Sequence, residues 1–331
     1  MGATIKDISK MTGLGYATIS AYLNGVKVRP QNKEAIEYAI KELGYVRNEY
    51  ARGLKTRKSM TVGAITVDLN NMFSMAIIST MEEELRKHGY GLIICDCKYD
   101  PEREKDLIKF MQSKMVDGLV VMSSSDNAEA FNALLANNTP VIAFDRKLNN
   151  PKIPTVTVDN LQSSYNAIKL CIAKGHRNIA IIGNLNNSYT ATDRHKGYQK
   201  AMEEIDCYNE NYVYDGGMKS LGAFNAMEDI LLHHPEITAV FVVNYEMVLG
   251  AISACNTHHK RIGEDISIIG YDMEFANYII TPTISSVNQP LNEIGINICD
   301  MLIKAMNKEQ VEDRELLTSI QYGDSVKDIR F

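Results

Sequence analysis

From residue 61 onward the chain alternates short apolar runs with longer amphipathic stretches, and few architectures accept that rhythm. The runs at 61–67, 91–95, 118–122, 140–144 and 155–158 have strand length and are rich in Val, Ile and Leu. Between them, 75–88 and 102–115 repeat apolar residues at helical spacing, and the strand rhythm resumes at 178–183, 239–243, 267–270 and 284–287. Repeated strand-helix-strand units predict parallel sheets covered by helices on both faces. Two such series predict two lobes. Because ligands of open α/β sheets bind beyond the carboxyl ends of the strands, two facing lobes put a binding site in the cleft between them.

The first 25 residues follow a different period. Ile5, Ile8 and Met11 recur at helical spacing, Gly13 interrupts, and Leu14, Ile19 and Leu23 resume it. Thr4 is placed to cap the first helix, with Asp7 favouring its positive end. The second helix opens with Tyr16, Ala17, Thr18 and Ser20. Small and hydroxyl side chains there suit a helix that enters a DNA major groove. A third amphipathic helix is expected over 33–43, ending at Gly44. The first 60 residues hold 11 Lys/Arg and 5 Asp/Glu, a charge of +6, whereas the whole chain is at −6. A basic headpiece on an acidic body fits a localised phosphate-binding surface better than a solvated lysine face, which would need no segregation by segment.

Several classes are disfavoured. No run of 18 apolar residues occurs, and no charged-then-apolar leader precedes the headpiece, so a cytoplasmic protein without a membrane span is expected. The 6 cysteines are scattered and expected as free thiols, with Cys95 and Cys97 on one strand face. The adjacent pairs His233–His234 and His258–His259 are poorly spaced for one metal ion, and neither metal nor cofactor is expected. The chain contains no Gly-x-x-x-x-Gly-Lys loop, Gly-x-Ser-x-Gly elbow or His-Glu-x-x-His motif, and Asp193, Arg194 and His195 are neighbours rather than a spaced triad. An enzyme is therefore not expected.

Ala17-Thr18-Ile19-Ser20, then Tyr22-Leu23-Asn24-Gly25, then Leu43-Gly44-Tyr45, Asn48, Ala51, Leu54 and Ser59 resemble the recognition helix, third helix and hinge of the lactose-repressor/galactose-repressor family. The likeness continues through nearly the whole chain. It implies an all-α helix-turn-helix headpiece at 1–47, a hinge helix or linker at 48–59, and a two-lobed α/β body at 60–331 like a periplasmic sugar-binding protein. Lobe 1 is expected at about 60–160 plus 290–320, and lobe 2 at about 161–288. The implied function is a transcriptional regulator, expected as a repressor. It would bind a pseudo-palindromic operator as a homodimer or tetramer, its affinity set by a small molecule, expected as a carbohydrate, in the interlobe cleft. The alternatives are a solute-binding protein without specific DNA binding, a catabolite-control-type regulator with a phosphoprotein co-regulator, and an activator.

On the DNA side the expected contacts are Thr4, Tyr16, Ala17, Thr18, Ser20, Asn24, Arg29, Asn48, Arg52, Leu54 and Lys55. Tyr16 and Ala17 resemble the base-reading pair, and Leu54 the leucine that wedges into the minor groove. Gly15 replaces the usual serine and Ala21 the usual arginine, so a distinct operator sequence is expected. In the body, the candidates sit mostly just after strands: Phe73 as a stacking ring, Asp145, Arg146, Asn160, Asn244, Tyr245, Asp272 and Gln289, together with Arg194. Planar carboxylates, amides and guanidinium groups engage neighbouring hydroxyls two at a time, which suits a polyol. Tyr245 stands where the family usually has aspartate and Gly217 where it has a second aromatic, so an altered ligand is expected.

Overall fold

The computed structural model describes residues 3–23, 25–45, 58–126, 128–184, 189–217 and 219–330. The chain divides into two units, Met1–Ser59 and Met60–Phe331.

The first unit contains α1 (Ile5–Thr12), α2 (Tyr16–Leu23) and α3 (Pro30–Leu43). Each helix contributes to one small core of Ile8, Ile19, Ile36 and Ala39, all fully buried. Gly13 and Gly44, at φ +69° and +56°, end α1 and α3 in the left-handed conformation that glycine adopts without a Cβ clash. At the start of α1 Thr4 is the N-cap, as expected, and forms a capping box with Asp7. The Asp7 carboxylate accepts from the Thr4 N–H at 2.9 Å and from the Thr4 hydroxyl at 2.7 Å, which holds its pKa below the ordinary value. The third helix begins three residues earlier than expected. Pro30 occupies its first turn, where a missing N–H loses nothing and φ is already helical.

In the second unit one sheet has the order β11-β5-β4-β3-β1-β2, all parallel: β1 (Thr61–Thr66), β2 (Gly91–Asp96), β3 (Gly118–Val121), β4 (Val141–Phe144), β5 (Thr155–Val158) and β11 (Arg314–Leu316). The other has the order β12-β10-β9-β8-β6-β7: β6 (Ile179–Gly183), β7 (Val213–Asp215), β8 (Ala239–Val242), β9 (Ser267–Tyr271), β10 (Ser285–Asn288) and β12 (Ser319–Gln321), with only β12 antiparallel. Central strands such as β3 and β8 are buried at every residue, as a sheet sandwiched by helices requires. The covering helices are α4 (Met72–Lys87), α5 (Pro101–Ser113), α6 (Asn132–Ala136), α7 (Asn160–Ala173), α8 (Tyr189–Glu203), α9 (Ser220–His233), α10 (Tyr245–Thr257) and α11 (Leu291–Met306).

The second lobe does not end at residue 288. After β11 the chain returns to it: β12 pairs with β10, the Ile268 N–H donates to the Ser325 carbonyl, and buried His176 lies 3.0 Å from the Lys327 carbonyl. The three strands that patterning missed, β7, β11 and β12, are three-residue edge strands. All six cysteines are free, and Cys95 and Cys97 both pack on one lobe-1 core. Among the described residues no helix is long and apolar enough to cross a membrane, and no cluster of His, Cys, Asp or Glu could hold a metal ion.

Candidate functional site

The two sheets present their carboxyl ends to one open cleft of about 750 Å3, counting its mouth. Lobe 1 contributes Phe73 at the start of α4, Tyr99 after β2, Met122 after β3 and Asp145 after β4; lobe 2 contributes Arg194 from α8, Asn244 after β8, Asp272 after β9 and Gln289 after β10. Asp145 and Asp272 have φ of +65° and +53°. Such a backbone is uncommon for non-glycine residues and concentrates at functional positions.

Arg194, 6 % exposed, organises the lobe-2 side. Its Nε donates to the Asn160 Oδ1 at 2.8 Å, its Nη1 donates to the Val243 carbonyl, and its guanidinium lies 3.7 Å from the centre of the Tyr271 ring. The Tyr271 hydroxyl is held by Ser163 and Ser164 at 2.8 and 2.9 Å. Asp272 accepts from the Gln289 backbone N–H at 3.0 Å and from its side-chain Nε2 at 2.7 Å. Burial pushes the Asp272 carboxyl up, while Arg194 and the Gln289 hydrogen bonds pull it back. Burial likewise raises Asp145, opposed by Arg194 and Arg146.

Seven expected contacts border the cleft: Phe73, Asp145, Arg194, Asn244, Tyr245, Asp272 and Gln289. Two do not. Arg146 turns to Asp126, at 3.1 Å, and Asn160 is buried behind Arg194 as its hydrogen-bond acceptor, so it positions rather than touches. Asn244 also caps α10, its Oδ1 accepting from the Met247 N–H at 2.8 Å. Tyr245 stands edge-on to Phe275 at 5.7 Å, and Gly217 is not among the lining residues. Sequence reasoning missed Asn71, Tyr99, Met122, Asn184, Thr190 and Glu246. Met122 and Asn184 directly follow β3 and β6, so the strand-end rule applied evenly would have found them.

A charged rim joins the lobes. Asp68, after β1, accepts from Lys219 Nζ of lobe 2 at 2.8 Å and from Lys98 Nζ at 3.3 Å, and Lys219 also lies 3.4 Å from Glu246. Lys219 above all, with the Asn70 N–H and Lys98 adding to it, holds the Asp68 carboxyl down at about 2.

In the headpiece Thr4, Tyr16, Ala17 and Arg29 are exposed, Tyr16 at 55 %, while Thr18 and Ser20 are half-buried. The Tyr22 hydroxyl donates to Glu37 at 2.7 Å and ties α2 to α3. Asn24, Asn48, Arg52, Leu54 and Lys55 lie outside the described residues.

Residues 4–48 match the model of bacterial regulatory proteins, lacI family, and residues 59–325 match that of periplasmic binding proteins and sugar binding domain of LacI family. The chain belongs to the LacI family. It is 31% identical to the HTH-type transcriptional regulator RegA of Clostridium saccharobutylicum over 95% of both chains. The lac repressor dimer bound to operator and the anti-inducer ONPF shares the fold at TM-score 0.89 and 22% identity, covering 99% of this chain and 100% of that one. A transcriptional regulator CelR–cellobiose complex aligns at TM-score 0.73 and 26% identity over 98% of this chain and 99% of that one. This LacI-family protein is thus a DNA-binding transcriptional regulator with a ligand-binding body, and its relatives are regulators rather than enzymes.

Proposed function

We propose that this regulator binds a pseudo-palindromic operator as a homodimer and represses transcription, and that a sugar-class molecule in the interlobe cleft sets its operator affinity. Tyr16 and Ala17 on α2 read base edges, with Thr4, Thr18, Ser20 and Arg29 serving backbone contacts. Asn24, Asn48, Arg52 and Lys55 add further contacts, and Leu54 acts as the minor-groove wedge. Arg194, Asp145, Asn244, Asp272 and Gln289 engage hydroxyls, and Phe73 and Tyr245 cover apolar faces of the ligand.

The observation that carries this reading is the convergence of planar polar groups from both lobes on one cleft, beside Phe73. Two lobes that both touch a ligand move relative to each other when it binds, and the headpiece is joined to that body. The similarity to a CelR–cellobiose complex favours a carbohydrate over other ligands.

The experiment is operator selection from random DNA, followed by binding of the selected site across sugars, sugar phosphates and nucleosides. A sugar that changes operator affinity by about 5–150-fold, without changing affinity for random DNA, is expected. Equal affinity for the selected and random sites would refute the regulator reading; an effect confined to nucleosides would refute the sugar class.

A further inference from the structure

The cleft holds more unanswered acceptors than available cations. Gln289 is 5 % exposed, and its Nε2 donates to Asp272. A carboxylate only accepts, so the amide has to turn its nitrogen toward Asp272 and its oxygen away. That oxygen, Oε1, is fully covered and has no hydrogen-bond partner. Asp145 borders the same cleft, and among the described residues nothing donates a hydrogen bond to its carboxylate; Arg194 and Arg146 act on it only as nearby charges.

Among the described lining residues Arg194 is the sole Lys or Arg, against the carboxylates of Asp145, Asp272 and Glu246. Arginine recognises phosphate or carboxylate through two parallel N–H donors. Here Nε and Nη1 are already engaged by Asn160 and Val243, and the flat face is covered by Tyr271. The rim cations are occupied as well, Lys219 by Asp68 and Glu246, Lys98 by Asp68 and Asp96.

We propose that the cleft takes an uncharged, hydroxyl-rich ligand that donates a hydrogen bond to the Asp145 carboxylate, and that Asp145 excludes the phosphorylated or carboxylated counterpart of the same molecule. This rests on the reading of the cleft as a sugar-class site. A hydroxyl supplies the donor that the Asp145 carboxylate lacks, and Arg194 Nη2 and Asn244 Nδ2 remain to meet hydroxyl oxygens. An anionic group on the ligand would instead face Asp145 with no free guanidinium fork to neutralise it.

The test is thermal unfolding of the full-length protein, wild type and Asp145→Asn, titrated with neutral mono- and disaccharides and with the monophosphate and uronate of each. The expected result is that a neutral sugar raises the unfolding temperature and that its anionic forms bind at least about tenfold more weakly, the low end for like charges a few ångströms apart in a half-screened site. Asp145→Asn should narrow that gap to a few-fold. Without ligand, Asp145→Asn should unfold at the wild-type temperature or above, because the carboxylate serves no protein donor. A phosphate or uronate that binds wild type as tightly as its neutral parent overturns the charge selection and leaves the sugar-class site standing. No shift with any compound overturns both. A ligand-free Asp145→Asn protein that unfolds several degrees below wild type shows that the carboxylate is structural and overturns its role in selection.

Discussion

Asp68 and Lys219 join the two lobes across the rim of the cleft, so replacing Asp68 with Asn should weaken the closed arrangement in a pH-dependent way. A carboxyl held down from 3.8 to about 2 corresponds to about 2.4 kcal/mol if the whole depression is converted at about 1.36 kcal/mol per pH unit. Lys219 is 51 % exposed and Lys98 shares the carboxylate. Solvent screening therefore reduces the contribution of the Lys219 pair to about 1 kcal/mol. Because the folded-state pKa lies below the unfolded one, this stabilisation is present in full above about pH 4 and is lost as the pH falls toward 2. The assay is urea unfolding of wild type, Asp68→Asn, Lys219→Met and the double variant at pH 7 and at pH 3. The expected coupling is about 1 kcal/mol at pH 7, clearly smaller at pH 3. A coupling within about 0.3 kcal/mol of zero at pH 7, or one equal at both pH values, would refute the inference that this pair clasps the lobes.

Three further outcomes are expected. Arg194→Ala should abolish the response of operator binding to the effector while leaving effector-free operator affinity intact, and should lower stability by about 1–3 kcal/mol because the Val243 carbonyl and Asn160 Oδ1 lose their donor; a retained response would remove Arg194 from the site. Tyr16→Ala should cost about 1–3 kcal/mol on the selected operator and little on random DNA, measured by fluorescence anisotropy at fixed salt. Gly197→Ala places a Cβ 2.2 Å from the Leu161 carbonyl oxygen, so α8 is forced off α7 and urea unfolding should show a loss of about 1–3 kcal/mol. If helix propensity governed this site instead, the same substitution would stabilise by up to about 1 kcal/mol.

The fold class was legible because burial on both faces leaves unbroken apolar runs such as Leu119-Val120-Val121 and Val240-Phe241-Val242. The edge strands were not, since three residues such as Arg314–Leu316 carry no period and owe their conformation to pairing with β5. The return of the C-terminal segment to lobe 2 was also hidden. It depends on Ser267 bonding His176 and the Lys327 N–H and on the Ser325 hydroxyl donating to the Ile268 carbonyl, and each of these side chains alone looks like an ordinary polar residue. In the cleft, strand ends pointed to Asp145, Asp272 and Gln289. They could not tell Arg194, which borders the cavity, from Asn160, which stands behind it, because both are buried and polar and only their 2.8 Å hydrogen bond sets their order. Tyr99 lies on a turn and Asn71 on the cap before α4, where no periodicity marks orientation.

Three chain crossings connect the lobes, after Val158, after Asn288 and after Leu316, and two of them carry groups of the site. Asn160, which supports Arg194, follows the first, and Gln289, which holds Asp272, lies on the second. The first and third crossings are themselves joined: the Thr318 N–H donates to Asp159 Oδ1 at 2.9 Å, and the Asp159 N–H donates to the Leu316 carbonyl at 3.1 Å. Any rotation of one lobe against the other has to be absorbed in the backbone of these few residues. A ligand that binds Gln289 or shifts Arg194 therefore acts on the hinge itself rather than through the body of either lobe. Asp159 does not border the cleft, so Asp159→Ala should leave ligand affinity within about threefold while changing the ligand–operator coupling by about 0.5–2 kcal/mol, the range for positions that tune coupling without touching either partner. The measurement is operator affinity with and without saturating ligand in both proteins. Identical coupling in the two would mean that the crossings follow the lobes passively and that the signal leaves the cleft by another route.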